Sequence, residues 1–445
     1  MKLVSKETKE PEEPENSQNF NGYEVKYRKM FIKDEDKEGE KLIYNGVDLQ
    51  IDNSFGCLSL NIQKNGIFIS EEDQSIVFPS GDHLAKYDLV SNETDFIIRE
   101  KSHFGEITWI TTGISKKREI LVGIGEKSVN GQNVDLTVSI FCWERQRWFY
   151  CDHEGISGLN EKSEIKQVII PDFSRYCITL VETEGQNPFV TFFKHERQSI
   201  HKKGEINPCV RKIAVDPFGH HSFIAIGKDY CRNYTASEKH IKETKDVVIP
   251  SKYEKDNDFT DIKFFPDSHA FALVSSQRNI FIIENKNVIF IKYEQSSNLV
   301  AELTTQIDIL EIDSEKANKE IESEMDHQKS LFEKFKENPM DLIIETHKKG
   351  FVVGTQTKFG FFNIYSLSKE FEVSLIQSFC LSLRCLGINS ISISFDRSYL
   401  VLSAKVLDQN IEDQLAEMQI IDDENKDKRC RTELYQFSLK EAYSF

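Results

Sequence analysis

The stretch SIVFPSGDHLAKYDL, Ser75 to Leu89, sets two short apolar runs on either side of Pro-Ser-Gly-Asp. Three local structures produce such a break. A phosphate-cradling loop requires a strand, then glycines, then a helix start. After Gly81 the chain instead alternates through Leu84, Tyr87 and Leu89, with no helical face. A nucleophile elbow requires Gly on both sides of the Ser and a helix behind it. Ser80 has only Gly81. A β-hairpin remains, with Pro and Gly as ordinary turn punctuation.

The hairpin recurs along the chain. GIFIS, QSIVFPS, HLAKYDL and ETDFIIRE form one unit of four short runs. EITWITTGI, ILVGIGE, LTVSIFCWE and RWFYCD form the next. Comparable units begin at IKQVIIP, VRKIAV, FTDIKFF, MDLIIET and SISISF. Uninterrupted units lie about 40–50 residues apart, the period of a propeller blade. Their β-branched and aromatic content favours strands, although runs this short cannot be tested by alternation. The expected fold is therefore all-β: a single β-propeller of about seven four-stranded blades, degenerate and WD40-like, over 41–445. A TIM barrel would need a helix after each strand, and none is visible. The first turns carry a recurring polar corner at Asp172, Asp216, Asp267 and Asp396. Trp-Asp dipeptides are absent, and Cys142-Trp143-Glu144 is the nearest approach.

Composition narrows the function classes. The chain has 445 residues, 32 of them Phe, and a formal net charge of −17. That charge argues against wholesale binding of nucleic acid or anionic membrane, and against a broad grip on another acidic surface. Basic clusters such as Lys116, Lys117 and Arg118, or KDKRCR at 426–431, read as solvated loops. No apolar run reaches the ~18 residues of a membrane span, and the N-terminus lacks an apolar signal-peptide core. Residues 1–40, acidic and Pro-containing, read as a disordered tail. FNGYEVKYRKMFI within it, Phe20 to Ile32, reads as a short docking segment or a chance cluster. The 9 cysteines include no CxxC pair, which suits reduced thiols in a cytosolic compartment. Cys380 and Cys385, set among leucines, read as buried thiols.

Two segments break the repeat and read as helical insertions, at about 311–340 and 407–431. The first has Ile321, Met325, Leu331, Phe332 and Phe335 near helical spacing, a start at Asp313 or Ser314 and a stop at Pro339. Glu315 and Lys319 can pair along it. In the second, Ile411, Leu415 and Met418 share a helical face. They are either solvated insertions or partner-binding helices. Blade topology puts both on one face of the ring, with the long connections EKSVNGQN and TEGQN. Long loops on a rigid scaffold are where binding usually sits.

Catalytic and metal-binding patterns are missing. The 11 histidines form no ligand set, and the adjacent His220 and His221 point to opposite faces of a strand. Cys151-Asp152-His153 is adjacent in sequence only. No cofactor is expected. The open last blade predicts closure by the N-terminal segment, with KLIYNGVDLQI, Lys41 to Ile51, as its outer strand.

A family resemblance adds a setting. NGIFISEEDQSIVFPSGDHLAKYDL resembles the first blade of the cilia- and flagella-associated protein 57 family, an axonemal WD-repeat family. HKKGFVVGTQTKFGFFNIY looks like a later blade of that family, which also follows a long polar insertion. SISISFDRSYLVLSAK and TELYQFSL look like the blade closing its first propeller. The likeness runs in matching order over roughly 50–445. It implies a non-enzymatic scaffold of the ciliary axoneme, with dynein-arm or regulatory-complex subunits or a longer paralogue as partners. Members of that family continue into a second propeller and a long coiled coil, whereas this chain stops at Phe445; the departure puts dimerisation and long-range docking in doubt, and a short paralogue that fills one site is one possibility. A cytosolic WD-repeat adaptor in another assembly is the alternative, and a propeller enzyme the third reading.

Overall fold

The computed structural model describes most of 75–438, together with strand segments at 19–20, 23–24, 43–44, 51–57 and 67–68. Residues 295–339, 408–429 and shorter stretches, the longest being 98–104, 153–158 and 394–398, lie outside the described residues. The chain forms a seven-bladed β-propeller. Each blade is an antiparallel sheet built from the channel outward.

The first blade has Ile67–Phe68, Ser75–Ser80, His83–Asp88 and Thr94–Ile97. The second has Glu106–Ile114, Ile120–Asn130, Asn133–Cys142 and Arg147–Asp152. Glu164–Ile169, Tyr176–Glu182, Phe189–Lys194 and Ser199–Glu205 make the third, and Val210–Val215, Ser222–Gly227, Tyr230–Ala236 and Ile241–Val247 the fourth. The fifth is Phe259–Phe264, Phe271–Ser275, Asn279–Glu284 and Asn287–Lys292. The sixth is Leu342–His347, Gly350–Thr355, Phe361–Leu367 and Val373–Cys380. Cys385–Ile393, Tyr399–Leu407 and Cys430–Ser438 begin the seventh. The opening question is thereby answered: Ser75–Ser80 and His83–Asp88 pair as a hairpin, Ser80 opposite His83.

The middle strands read as nearly unbroken apolar runs because both of their faces are covered. Phe271–Ser275 and Gly350–Thr355 are buried at every residue. Their side chains fill seven hydrophobic clusters, one between each pair of neighbouring blades. The last of these joins Val401 and Leu434 to Ile76, Phe78, Ala85 and Tyr87, so the ring is closed. Packing is tight enough to demand glycine at Gly227, where an added Cβ would collide with the Cys209 carbonyl.

The N-terminal part of the chain completes the ring, but not with the expected residues. The outer strand of the seventh blade is Ile51–Cys57, paired antiparallel with Cys430–Ser438. Of the Lys41–Ile51 segment, Ile43–Tyr44 pairs with Phe379 and Cys380 as a fifth strand on the sixth blade. Asn45-Gly46 interrupts its alternation, as such a dipeptide does in a turn. Farther upstream, Asn19–Phe20 pairs with Tyr23–Glu24 across Asn21-Gly22, at the start of the expected docking segment. The rest of 1–40 lies outside the described residues.

A second correction concerns EKSVNGQN. It is not a long loop: the strands run on to Asn130 and resume at Asn133, with Lys127 opposite Leu136 and Val129 opposite Val134. Pairing with the first strand stops at Lys127, opposite Glu106, while pairing with the third continues to Asn130, opposite Asn133. TEGQN does form a connection between strands, with Gln186 N–H donating to the Thr183 carbonyl.

Candidate interaction surfaces

Antiparallel blades give the ring two unlike faces. Turns joining first to second and third to fourth strands emerge on one, here the turn face. Turns joining second to third strands, and the connections between blades, emerge on the other, the connection face.

Both expected insertions leave from the connection face. The stretch 295–339 lies between Asn287–Lys292 of the fifth blade and Leu342–His347 of the sixth. The stretch 408–429 joins the second and third strands of the seventh. All eight candidate residues lie outside the described residues: Ile321, Met325, Leu331, Phe332, Phe335, Ile411, Leu415 and Met418. Of the expected limits, three fall on described residues that belong to the propeller, and the start near 311 lies outside the described residues. Met340 is buried and bridges Gln277, while Leu407 and Cys430 pair in the seventh blade.

The channel between the faces is polar, and its charges join neighbouring blades. Lys212 lies 3.2 Å from Asp261, and Lys263 lies 3.0 Å from Glu345. Asp261 also accepts from the Ile344 N–H at 3.1 Å. Gln167 donates to the Ile213 carbonyl and accepts from its N–H. Burial disfavours the Lys263 ammonium, but the Glu345 and Asp261 carboxylates outweigh that, and its pKa is raised. These groups form a stitch between inner strands. Among the described residues no cluster of three or more His, Cys, Asp or Glu could hold a metal ion.

The turn face carries a cleft of about 330 Å³ between the second and third blades. Three turns build it. The first turn of the second blade supplies Lys116 and Lys117, that of the third supplies Ser174 and Arg175, and the third turn of the third blade supplies Lys194 to Arg197. Hydrogen bonds fix the turns against each other. Asp172 accepts from Ile114 N–H at 2.9 Å, and Phe173 N–H donates to the Ile114 carbonyl at 2.6 Å. Ser115 Oγ accepts from the N–H groups of Lys117 and Glu119, each at 3.1 Å. The repeated Asp corner thus serves as a clamp. Asp216 does the same one blade on, accepting from Phe218 N–H and pairing with His269 at 2.9 Å. Asp267 and Asp396 lie outside the described residues.

Two aromatic side chains stand out from these corners. Phe173 is 51% exposed and Phe218 is 57% exposed. Six of the seven described histidines, His195, His201, His221, His240, His269 and His347, also lie at turn-face ends of strands, while His83 lies at the other end. Sequence reading missed this asymmetry because it looked for a metal ligand set. Their positions relative to the repeat were the available signal. It likewise took Lys116 and Lys117 for a solvated loop, since the cations that complete the cleft come from the next blade.

No protein-family model matches the chain, and no curated protein sequence does. Among solved structures, a chain in the crystal structure of a mitotic checkpoint complex is similar over 82% of this chain and 95% of its own length, with 8% identity and a TM-score of 0.49.

Proposed function

We propose that the protein is a non-enzymatic scaffold of the ciliary axoneme that docks a dynein-arm or regulatory-complex partner through the connection face of its propeller. The observation that carries the docking part is topological: the two longest interruptions of the repeat leave the ring from that same face, in the fifth-to-sixth and seventh blades. A closed ring with seven inter-blade cores holds such segments on a rigid base. Apolar stripes at helical spacing, Ile321, Met325, Leu331, Phe332 and Phe335 in one and Ile411, Leu415 and Met418 in the other, suit a helix-in-groove contact. The ciliary setting rests on the family resemblance of the blade sequences.

The test is the location of a tagged full-length chain in ciliated cells. Retention in the axoneme after detergent extraction is the expected result. A chain confined to the cytosol would favour the adaptor reading, in which the same face serves another assembly.

A further inference from the structure

The turn-face cleft is at the opposite end of the ring from the proposed docking segments, and its chemistry differs from theirs. We infer that it binds an acidic peptide segment of a partner protein. Five cations border it, from Lys116, Lys117, Arg175, Lys194 and Arg197, against the single carboxylate of Glu196. Glu196 is 3.7 Å from Lys117. The nearby Glu119 is held by Arg145 through hydrogen bonds of 2.6 and 2.8 Å, so its charge is already answered. Among the described residues, no carboxylate lies within ion-pair distance of Lys116, Arg175, Lys194 or Arg197. Positive charges gathered without counter-charges repel one another until an anion joins them. Here they gather on a chain of net charge −17.

Two further features mark a built site. His195 lines the cleft at 3% exposure, with Nε2 3.5 Å from the Ser174 carbonyl oxygen and no partner for its buried Nδ1. Beside the lining residues Ser174 and Arg175, Phe173 holds a half-exposed ring at φ 56°. That conformation is uncommon for a bulky residue and recurs at ligand clamps. The cleft thus offers cations for carboxylates, with the exposed Phe173 ring adjoining its lining residues in sequence.

Charge complementarity selects the occupant. Nucleic acid and anionic membrane present negative charge over areas much wider than this cleft, and the chain's net charge of −17 disfavours so broad a contact. A short acidic segment confines its charge to the size of the cleft.

The experiment uses the full chain and a fluorescein-labelled glutamate-rich peptide carrying one Leu, read by fluorescence anisotropy at about 0.15 M salt. Replacing Arg175 and Arg197 together by Glu is expected to weaken binding at least about tenfold. The same charge change on the connection face, Lys252→Glu with Lys255→Glu, is expected to leave it within about twofold. Circular dichroism checks the fold, and Arg175→Gln with Arg197→Gln gives a milder pair should the reversal unfold the chain. Equal loss in the cleft and control variants would overturn the proposal, because general charge would then explain binding. Capture of duplex DNA or phosphatidylserine vesicles without the peptide would overturn it too. The result is independent of where the protein resides in the cell.

Discussion

Ile51 lies opposite Phe437, so the outer strand of the last blade comes from the beginning of the chain. A propeller ring has no covalent closure. An open seventh blade would leave the edge of Cys430–Ser438 unpaired and let the ring part at the Val401 and Ile76 junction. The two ends of the sequence therefore fold as one unit.

Two truncations separate the roles of this segment. Removing residues through Gln50 deletes the Ile43–Tyr44 edge but spares Ile51–Cys57, and is expected to keep a single cooperative unfolding transition. Removing residues through Cys57 is expected to abolish that transition or shift it strongly to lower urea. Indistinguishable urea curves for the two would contradict the closure.

The blade pattern was legible in the sequence because turns and apolar runs repeat locally. The closing strand was misplaced by one segment because KLIYNGVDLQI and IDNSFGC both suit an edge, and pairing across the whole chain decides between them. Loop lengths placed both insertions between strands on the connection face, whereas EKSVNGQN, read in the same way, is mostly paired strand. The cleft was not legible, since Lys116, Arg175 and Arg197 meet only after neighbouring blades dock. Phe173 gave no signal either. Its exposure follows from the clamp that Asp172 makes to Ile114, a contact between blades.

The inner-strand stitch predicts a stability effect without a change in surface. Glu345→Gln leaves Lys263 facing a neutral amide at a partly buried position. The loss is expected to be about 1.5–3 kcal/mol, the range for a hydrogen bond to a charged group. Chemical denaturation measures it, and Glu345→Gln with Lys263→Met is expected to recover part of the loss, since the stranded charge is removed.

His195 gives a pH dependence. Burial lowers its pKa below the ordinary value of 6.5, only partly offset by the Ser174 carbonyl. As pH falls, the unfolded chain takes up this proton first. The contribution is thus fully present above about pH 6.5 and is lost as pH falls through the lowered folded value. His195→Phe is expected to show a smaller drop in stability between about pH 7 and pH 5 than the native chain. Parallel curves would place the acid sensitivity elsewhere.

Phe173→Gly separates folding from binding. Glycine adopts the left-handed conformation without steric cost, so the thermal midpoint is expected not to fall. The exposed ring beside Ser174 and Arg175 is lost, and affinity for the acidic peptide is expected to drop severalfold. A lower midpoint with unchanged affinity would make Phe173 a packing residue.

The most direct measurement of the scaffold reading is retention in detergent-extracted axonemes of a full chain carrying Phe332→Glu and Leu415→Glu. The account predicts that the native chain stays with the axoneme while the double variant is released, with its thermal midpoint nearly unchanged. A folded double variant retained as well as the native chain would contradict docking through the connection face.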